Sequence, residues 1–389
     1  MRLFIFLLFL ALSHTLHATA VSGFVFVDKN NNGQKDKDEA GIRGVAVSDQ
    51  VQVVQTDGSG RYAISDVKGY GLIMVTLPDG YKAAATYWQR VPERGGELNF
   101  ALIKTPVVTS FSFLHASDTH ISETSLPRTQ RLRAMADSLK PAFVLVTGDL
   151  IRDALRVPEK EVTALYDLYL SETHKFSMPV WSAAGNHDNF GIERHLSLVG
   201  KNNPLYGKKM FHHYFGPNYY SFNYGGIHFV ALDDIDYEDL WYYGHVDSTQ
   251  VEWLRNDLAA IPPTQPVVTF AHMPFFSGGL SLSNFEETGP GRSLERQRGK
   301  LHYRHVVSNA QELVTILSQR PYPLSLAGHF HFRQIFLFES YGQPTRYEQT
   351  AAIVGPSEEG TIKLPSGFTL YSVKDGKISE GKFIRLDAH

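Results

Sequence analysis

Five short blocks of this sequence end an apolar run on side chains that bind metals. SFLHAS runs into Asp118-Thr119-His120, FVLVT into Gly148-Asp149, VWSAA into Gly185-Asn186-His187-Asp188, VVTFA into His272, and LSLA into Gly328-His329-Phe330-His331. Consecutive Asn, His and Asp make a poor strand and a poor helix, so local propensity alone does not explain these endings. Setting His187 and Asp188 aside, the blocks offer the carboxylates of Asp118 and Asp149, the amide oxygen of Asn186, and the imidazoles of His120, His272, His329 and His331. Mixed nitrogen and oxygen donors suit Fe, Mn, Zn or Co better than Ca, which prefers oxygen alone. The chain has 0 cysteines, which excludes a thiolate site. These seven side chains exceed the needs of one tetrahedral ion. Two divalent or trivalent ions about 3.5 to 4 Å apart, sharing one carboxylate, fit the number. Two divalent ions less the charges of Asp118 and Asp149 leave roughly +2, a site that draws in a phosphate ester and acidifies a bound water.

Such donors must converge, and the elements that carry them have to bring them together. In open α/β sheets the carboxyl ends of strands line the binding crevice, so five strand-like runs ending in ligands are expected to meet at one place. Glycine before the polar residue allows the chain to turn sharply at Gly148, Gly185 and Gly328. Helical patterns alternate with these runs from Pro127 to Leu139, Pro158 to Thr173, Ser248 to Ala259 and Asn309 to Ser318. In the third, Asp247 and Gln250 are placed to form a capping box, and Val251, Leu254 and Leu258 share a face. FTLYSVK and ISEGKFIRL supply further strands near the end of the chain. His115 and His228 fall within strand-like runs and read as core residues, while His212, His213 and His245 lie in aromatic connecting segments.

The ordered set D-x-H, GD, GNHD, H, GHxH, intact across about residues 110 to 385, resembles the calcineurin-like metallophosphoesterases. The resemblance implies a four-layer α/β/β/α sandwich and a dinuclear centre that hydrolyses phosphate monoesters or diesters with a metal-bound hydroxide. It places one ion on Asp118, His120, Asp149 and His331, and the other on Asp149, Asn186, His272 and His329, with Asp149 as the bridge. His187, beside a ligand but not itself one, is then the general acid that protonates the leaving alkoxide, with Asp188 orienting its ring or raising its pKa. Purple acid phosphatases would place a tyrosine ligand just after the GD block; this chain has Arg152 there, which disfavours that subfamily. A Gly- and Ser-rich insertion between Phe275 and Arg304 follows the His272 strand and is expected to overhang the site, with Arg152, Arg292 and Arg296 as candidate substrate contacts. The aromatic segment YEDLWYYGH, residues 237 to 245, fits either cover for a sheet edge or a stacking surface for a base or sugar.

Before this unit, residues 21–105 show short β-rich runs (GFVFV, GVAVS, VQVVQT, RYAIS, LIMVTL) separated by Gly, Asp and Asn turns, the texture of a small β-sandwich. Within it, Asp28, Asn30, Asn32, Asp36 and Glu39 keep the offsets of a twelve-residue calcium loop, with Gly33 at the turn. Flanks that are strand-like argue against an EF-hand domain; the module resembles the calcium-binding immunoglobulin-like modules of bacterial surface proteins and the N-terminal domain fused to some exported bacterial metallophosphoesterases. Residues 1–20, with an apolar run from Leu3 to Leu12 and Ala18-Thr19-Ala20 at the end, have the layout of a secretory signal peptide, so a periplasmic or secreted protein is expected. The catalytic unit then spans 106–389. A net charge of -3 lacks the basic excess of a general nucleic-acid binder, and no later stretch reads as transmembrane. The expected partner is a phosphoester, small or lipid-linked; the alternative is an inert cell-surface binding protein that acts through its β-module.

Overall fold

The computed structural model describes residues 19–282, 285–288, 292–339, 344–359 and 362–387. Residues 1–18, most of the segment expected to be a signal peptide, lie outside the described residues. Among the described residues no helix is long and apolar enough to cross a membrane.

The β-rich runs of the N-terminal region become two facing sheets. One orders the strands Arg61–Ile64, Val21–Val27, Phe100–Lys104 and Tyr81–Ala83; the other orders Val53–Gln55, Ala46–Ser48, Leu72–Val75 and Trp88–Arg90. Alternate residues of Arg61–Ile64 and of residues 21–25 are buried, as expected for strands covered on one face, and Phe26 is buried as well.

Two six-stranded sheets follow. In the first, Ser110–Ala116 lies parallel to Phe143–Thr147, which lies parallel to Val180–Ala183. The C-terminal strand Gly367–Lys374 pairs antiparallel with Ser110–Ala116, and Lys382–Arg385 pairs with it in turn, so the end of the chain completes this sheet. In the second, Ile227–Ala231, Val267–Phe270, Leu324–Ala327 and Thr345–Gln349 run parallel in that order.

In the first sheet the side-chain period of two distributes the strands Ser110–Ala116 and Phe143–Thr147 between two cores. Phe113 and Leu145 enter the large core between the sheets. Their neighbours Leu114, Val144 and Val146 turn the other way, onto helices Leu126–Leu139 and Glu159–Thr173 through Leu132, Ala136, Val162 and Leu165. On the far side, Val251, Leu254 and Leu258 of helix Ser248–Ala259 and Leu313 and Leu317 of helix Ala310–Leu317 pack with the second sheet. The layers are therefore α/β/β/α. Asp247 caps its helix by accepting from the amides of Thr249 and Gln250. The expected capping box does not form, because the Gln250 side chain bonds the backbone of Asp233 instead.

The β-module is joined to this sandwich by buried polar contacts as well as apolar ones. Tyr219 donates its hydroxyl to the Gln50 carbonyl, the Gln50 amide donates to Asn218 Oδ1 at 3.0 Å, and Asn223 donates its amide to the Leu77 carbonyl at 2.8 Å. His115 and His228 are fully buried, the first beside Thr147 and the second between Asn223 and Asp257.

Candidate metal centre

Parallel strands of both sheets release their chains at one crevice: the first sheet delivers Asp118, His120, Asp149 and Asn186, the second His272, His329 and His331. Five of these residues leave their strands in the left-handed backbone region, with φ of 52° at Asp118, 36° at His120, 50° at Asp149, 71° at His329 and 59° at His331. Such conformations cost about 1 kcal/mol or more each for non-glycine residues and cluster where geometry serves function. Packing is tight enough to demand glycine at the turns: a Cβ on Gly185 would stand 2.2 Å from the Asp149 amide nitrogen.

The two carboxylates each commit one oxygen to the scaffold and leave one for the crevice. Asp149 Oδ1 accepts from the His187 amide at 2.8 Å, while Oδ2 lies 3.4 Å from His120 Nε2 and 3.3 Å from His272 Nε2. This one atom therefore faces both halves of the site. Asp118 Oδ2 accepts from the His329 amide at 3.1 Å; Oδ1, buried and without a hydrogen-bond partner, lies 3.3 Å from His331 Nε2.

The donor set fits cations. His272 Nδ1 stands 2.8 Å from the Thr147 carbonyl, which only accepts, so in the neutral ring Nε2 carries a bare lone pair. That lone pair faces Asn186 Oδ1 at 3.0 Å, His329 Nδ1 at 3.1 Å and Asp149 Oδ2. In the other half, His120 turns Nδ1 towards the Arg152 carbonyl and Nε2 towards His331 Nε2 at 3.3 Å. Acceptors gathered around acceptors call for a positive charge at their centre. The same field acts on protons: burial opposes a charged His272, yet Asp149 and Asp118 hold its pKa up to about 10. Asp118, His120 and His331 stand close enough together to hold one ion and Asp149, His272 and His329 another, and His187 comes equally close to His120 and Asp149 between them.

The crevice opens into a cavity of about 460 Å³ whose wall includes, beyond the ligands, Ser122, Thr124, Arg152, His187, Tyr242 and Val354. His187 reaches this cavity, but its carboxylate partner differs from the one expected. Both oxygens of Asp188 are taken by backbone amides, those of Gly185 at 2.7 Å and Leu150 at 3.0 Å among them, so Asp188 ties two ligand-bearing turns together. The carboxylate beside the ring is Asp153, with Oδ1 3.6 Å from His187 Nδ1. Burial opposes the charged ring, but Asp149 and Asp153 raise its pKa above the ordinary imidazole value. Burial likewise pushes Asp153 up, and His187 and Arg156 more than offset it, leaving that carboxyl below its usual value. Asp153 lies only four positions beyond Asp149, a carboxylate on the same turn that the sequence displays openly.

Of the three candidate substrate arginines, Arg152 lines the cavity and pairs with Glu161. Arg292 and Arg296 do not line it: Arg292 pairs with Glu295 and stacks over Trp241 at 4.0 Å, and Arg296 pairs with Glu287. The insertion that carries them forms a hairpin, Leu294–Gln297 with Lys300–Tyr303, packed beside the hairpin Ile235–Glu238 with Trp241–Gly244. The aromatic segment thus contributes one ring, Tyr242, to the cavity wall. Of the other histidines, His212 is buried and stacks on Tyr70, and His245 faces Asp236.

The loop expected to hold calcium is closed largely by its own hydrogen bonds. Asp28 Oδ2 accepts from the Gly33 amide, Asp36 Oδ2 from the side-chain amides of Asn30 and Asn32, and the Glu39 carboxylate from the amides of Lys29 and Asp36. Only Asp28 Oδ1, among these carboxylate oxygens, is buried without a partner.

The family described as calcineurin-like phosphoesterase matches residues 111–333. This chain belongs to that family. The N-terminal region of calcineurin-like phosphoesterases matches residues 29–105. A dimetal phosphatase from Danio rerio superposes with a TM-score of 0.46 at 13% identity, over 71% of this chain and 99% of that one. Purple acid phosphatase from seeds of yellow lupin, Lupinus luteus, also gives a TM-score of 0.46 at 13% identity, over 95% of this chain and 69% of the lupin chain. Colossin-A of Dictyostelium discoideum is 45% identical over 72 residues, which is 17% of this chain and 1% of that protein, so the match spans a small fraction of its length.

Proposed function

We propose that this member of the family is a two-metal phosphoester hydrolase, a phosphodiesterase or phosphatase, acting on small or lipid-linked phosphates. The observation that carries this reading is the single Asp149 oxygen facing imidazole nitrogens in both halves of the crevice. Asp118, His120, Asp149 and His331 would hold one ion and Asp149, Asn186, His272 and His329 the other. Two such ions, when bound, activate water and stabilise charge on the phosphoryl oxygens.

The chain's own residues supply the rest. Asn186 contributes an oxygen without adding negative charge, which preserves the site's attraction for an anionic substrate. With Nδ1 turned to Asp153, His187 has Nε2 left to carry a proton into the cavity, where a leaving alkoxide needs one. Asp153 is itself fixed by Arg156, whose guanidinium reaches Asp153 Oδ2 at 3.2 Å and Glu193 at 2.9 Å. Ser122, Thr124, Arg152 and Tyr242 offer polar contacts to the rest of the substrate. The apolar run Leu3 to Leu12 and the small residues after it support export.

Turnover of p-nitrophenyl phosphate and bis-p-nitrophenyl phosphate with added Mn or Zn tests the assignment. Asp149→Ala should reduce both activities to the level of the uncatalysed reaction; turnover unaffected by that substitution defeats it.

A further inference from the structure

The second ion site is connected to the inserted hairpin by a chain of hydrogen bonds with only one consistent direction. Arg292 offers its carbonyl oxygen, which only accepts, to His305 Nε2 at 3.2 Å, so Nε2 is the protonated nitrogen of that ring. In the neutral ring His305 Nδ1 is then bare, and His329 Nε2, 2.8 Å away, must donate to it. A proton on His329 Nε2 leaves Nδ1 bare, and Nδ1 is the atom that faces His272 Nε2 at 3.1 Å. The two rings stack with centroids 5.1 Å apart and planes 25° from parallel, which sets the rotation of His329 as well as its tautomer.

The start of this chain is anchored by the docking of the hairpin. Arg292 stacks on Trp241, its guanidinium pairs with Glu295 at 3.2 Å, and the Arg304 amide donates to the Ser293 carbonyl at 2.8 Å, so the segments entering and leaving the hairpin are tied together. Arg304 lies over the rings of both Trp241 and Tyr242. The Arg292 carbonyl is thus held by contacts outside the metal crevice, and His305 carries that constraint inwards.

We propose that His305 is a positioning residue through which the inserted hairpin orients His329 Nδ1 towards the second metal ion. This rests on the two-ion reading above. A histidine ligand commonly has its other nitrogen held by a carboxylate or carbonyl, and loss of such a partner weakens metal binding. Here the partner is a second imidazole, immediately after the insertion and held by its Arg292 carbonyl, and absent from the ligand-bearing blocks. Side chains that touch the ligands from outside the strand ends thereby enter the definition of the site.

Mn(II) titrated into the metal-free protein, with free Mn(II) followed by its EPR signal and heat by calorimetry, separates the two sites. Wild type should take up two ions. His305→Ala should keep the affinity of the first and weaken the second by about 10- to 100-fold. His305→Asn, whose Oδ1 can replace Nδ1 as acceptor, should recover most of that loss. Wild-type affinity for both ions in His305→Ala, or equal impairment of the alanine and asparagine variants, overturns the proposal. Nitrogen-15 imidazole NMR of metal-free wild type supplies a readout that needs no variant: both His305 and His329 should carry their proton on Nε2, and a proton on Nδ1 of either ring overturns it. Failure of wild type to bind two ions strikes the two-ion reading instead, and the NMR tautomers then decide the hydrogen-bond chain alone.

Discussion

The metal crevice and the loop from Asp28 to Glu39 are both rich in Asp, Asn and oxygen donors, yet they spend them oppositely. In the loop, acceptors meet donors: the Glu39 carboxylate takes the amides of Lys29 and Asp36 at 2.8 and 3.1 Å, and Asp36 takes two asparagine side chains. In the crevice, acceptors meet acceptors, with Asn186 Oδ1, His329 Nδ1 and Asp149 Oδ2 all within 3.3 Å of His272 Nε2. The loop is built to hold its own shape. The crevice keeps left-handed backbone at five ligand positions and leaves its lone pairs for something else. Substitutions in the crevice should therefore be felt in chemistry, and substitutions in the loop in stability.

The largest effect expected of a side chain that is not a ligand is at His187. His187→Ala should retain two ions and a melting temperature close to wild type, while kcat falls by about 10²- to 10⁴-fold for esters with poor leaving groups and by less for nitrophenyl esters. A plot of rate against leaving-group pKa for wild type and variant checks this. Equal loss across the series removes the acid role, and a large drop in melting temperature breaks the contrast with the loop.

A smaller effect, in the same direction, is expected one residue further from the reacting atoms. Asp149 and Asp153 raise the pKa of His187 against its burial, so its protonated form persists to higher pH than for an ordinary imidazole. Asp153→Asn removes one of these charges. Its kcat should fall by about tenfold, in the lower part of the range for lost outer partners. The alkaline limb of its pH profile should also move to lower pH, because the acid form is lost sooner as pH rises. An unmoved limb shows that Asp153 does not set the pKa of the acid in the active enzyme.

The clustered donors are legible in the sequence and their supports much less so. Strand-ending blocks advertise themselves because an apolar run that stops on Asn, His or Asp has no local reason to do so, and all seven expected ligands reach the crevice. Helix positions were also readable, within one residue at Leu126–Leu139 and Glu159–Thr173, from periodic apolar residues. Hydrogen-bond partners were not, since adjacency in sequence says little about direction in space. Asp188 sits beside His187 in the chain, but its carboxylate turns to the amides of Gly185 and Leu150, while Asp153, from another turn, comes alongside the ring. Gln250 shows the same limit at a helix start, where a tertiary partner outcompeted the local cap. The arginines of the insertion read as anion contacts because the sequence does not show that the hairpin brings Glu295 and Glu287 to them.

The smallest effect lies in the loop. Glu39 is almost fully buried, at 3% exposure, and its two oxygens satisfy two backbone amides. Glu39→Ala leaves both amides without their partner, at a cost of about 1 to 3 kcal/mol in stability. The lower end is expected because Lys29 and Asp36 are not deeply buried and water can reach them. Turnover at saturating metal should be unchanged in this variant, since Glu39 belongs to the β-module and is far from any cavity-lining position in the chain. Thermal unfolding with and without calcium sharpens the comparison. If the loop's own donors hold its oxygens, wild type should melt within about 2 to 4 °C in the two conditions, corresponding to no more than about 1 kcal/mol, and Glu39→Ala should melt lower in both. A calcium-dependent rise well beyond that in wild type, absent from Glu39→Ala, would show that the orphaned Asp28 Oδ1 marks an ion site and that the loop, like the crevice, is completed by a cation.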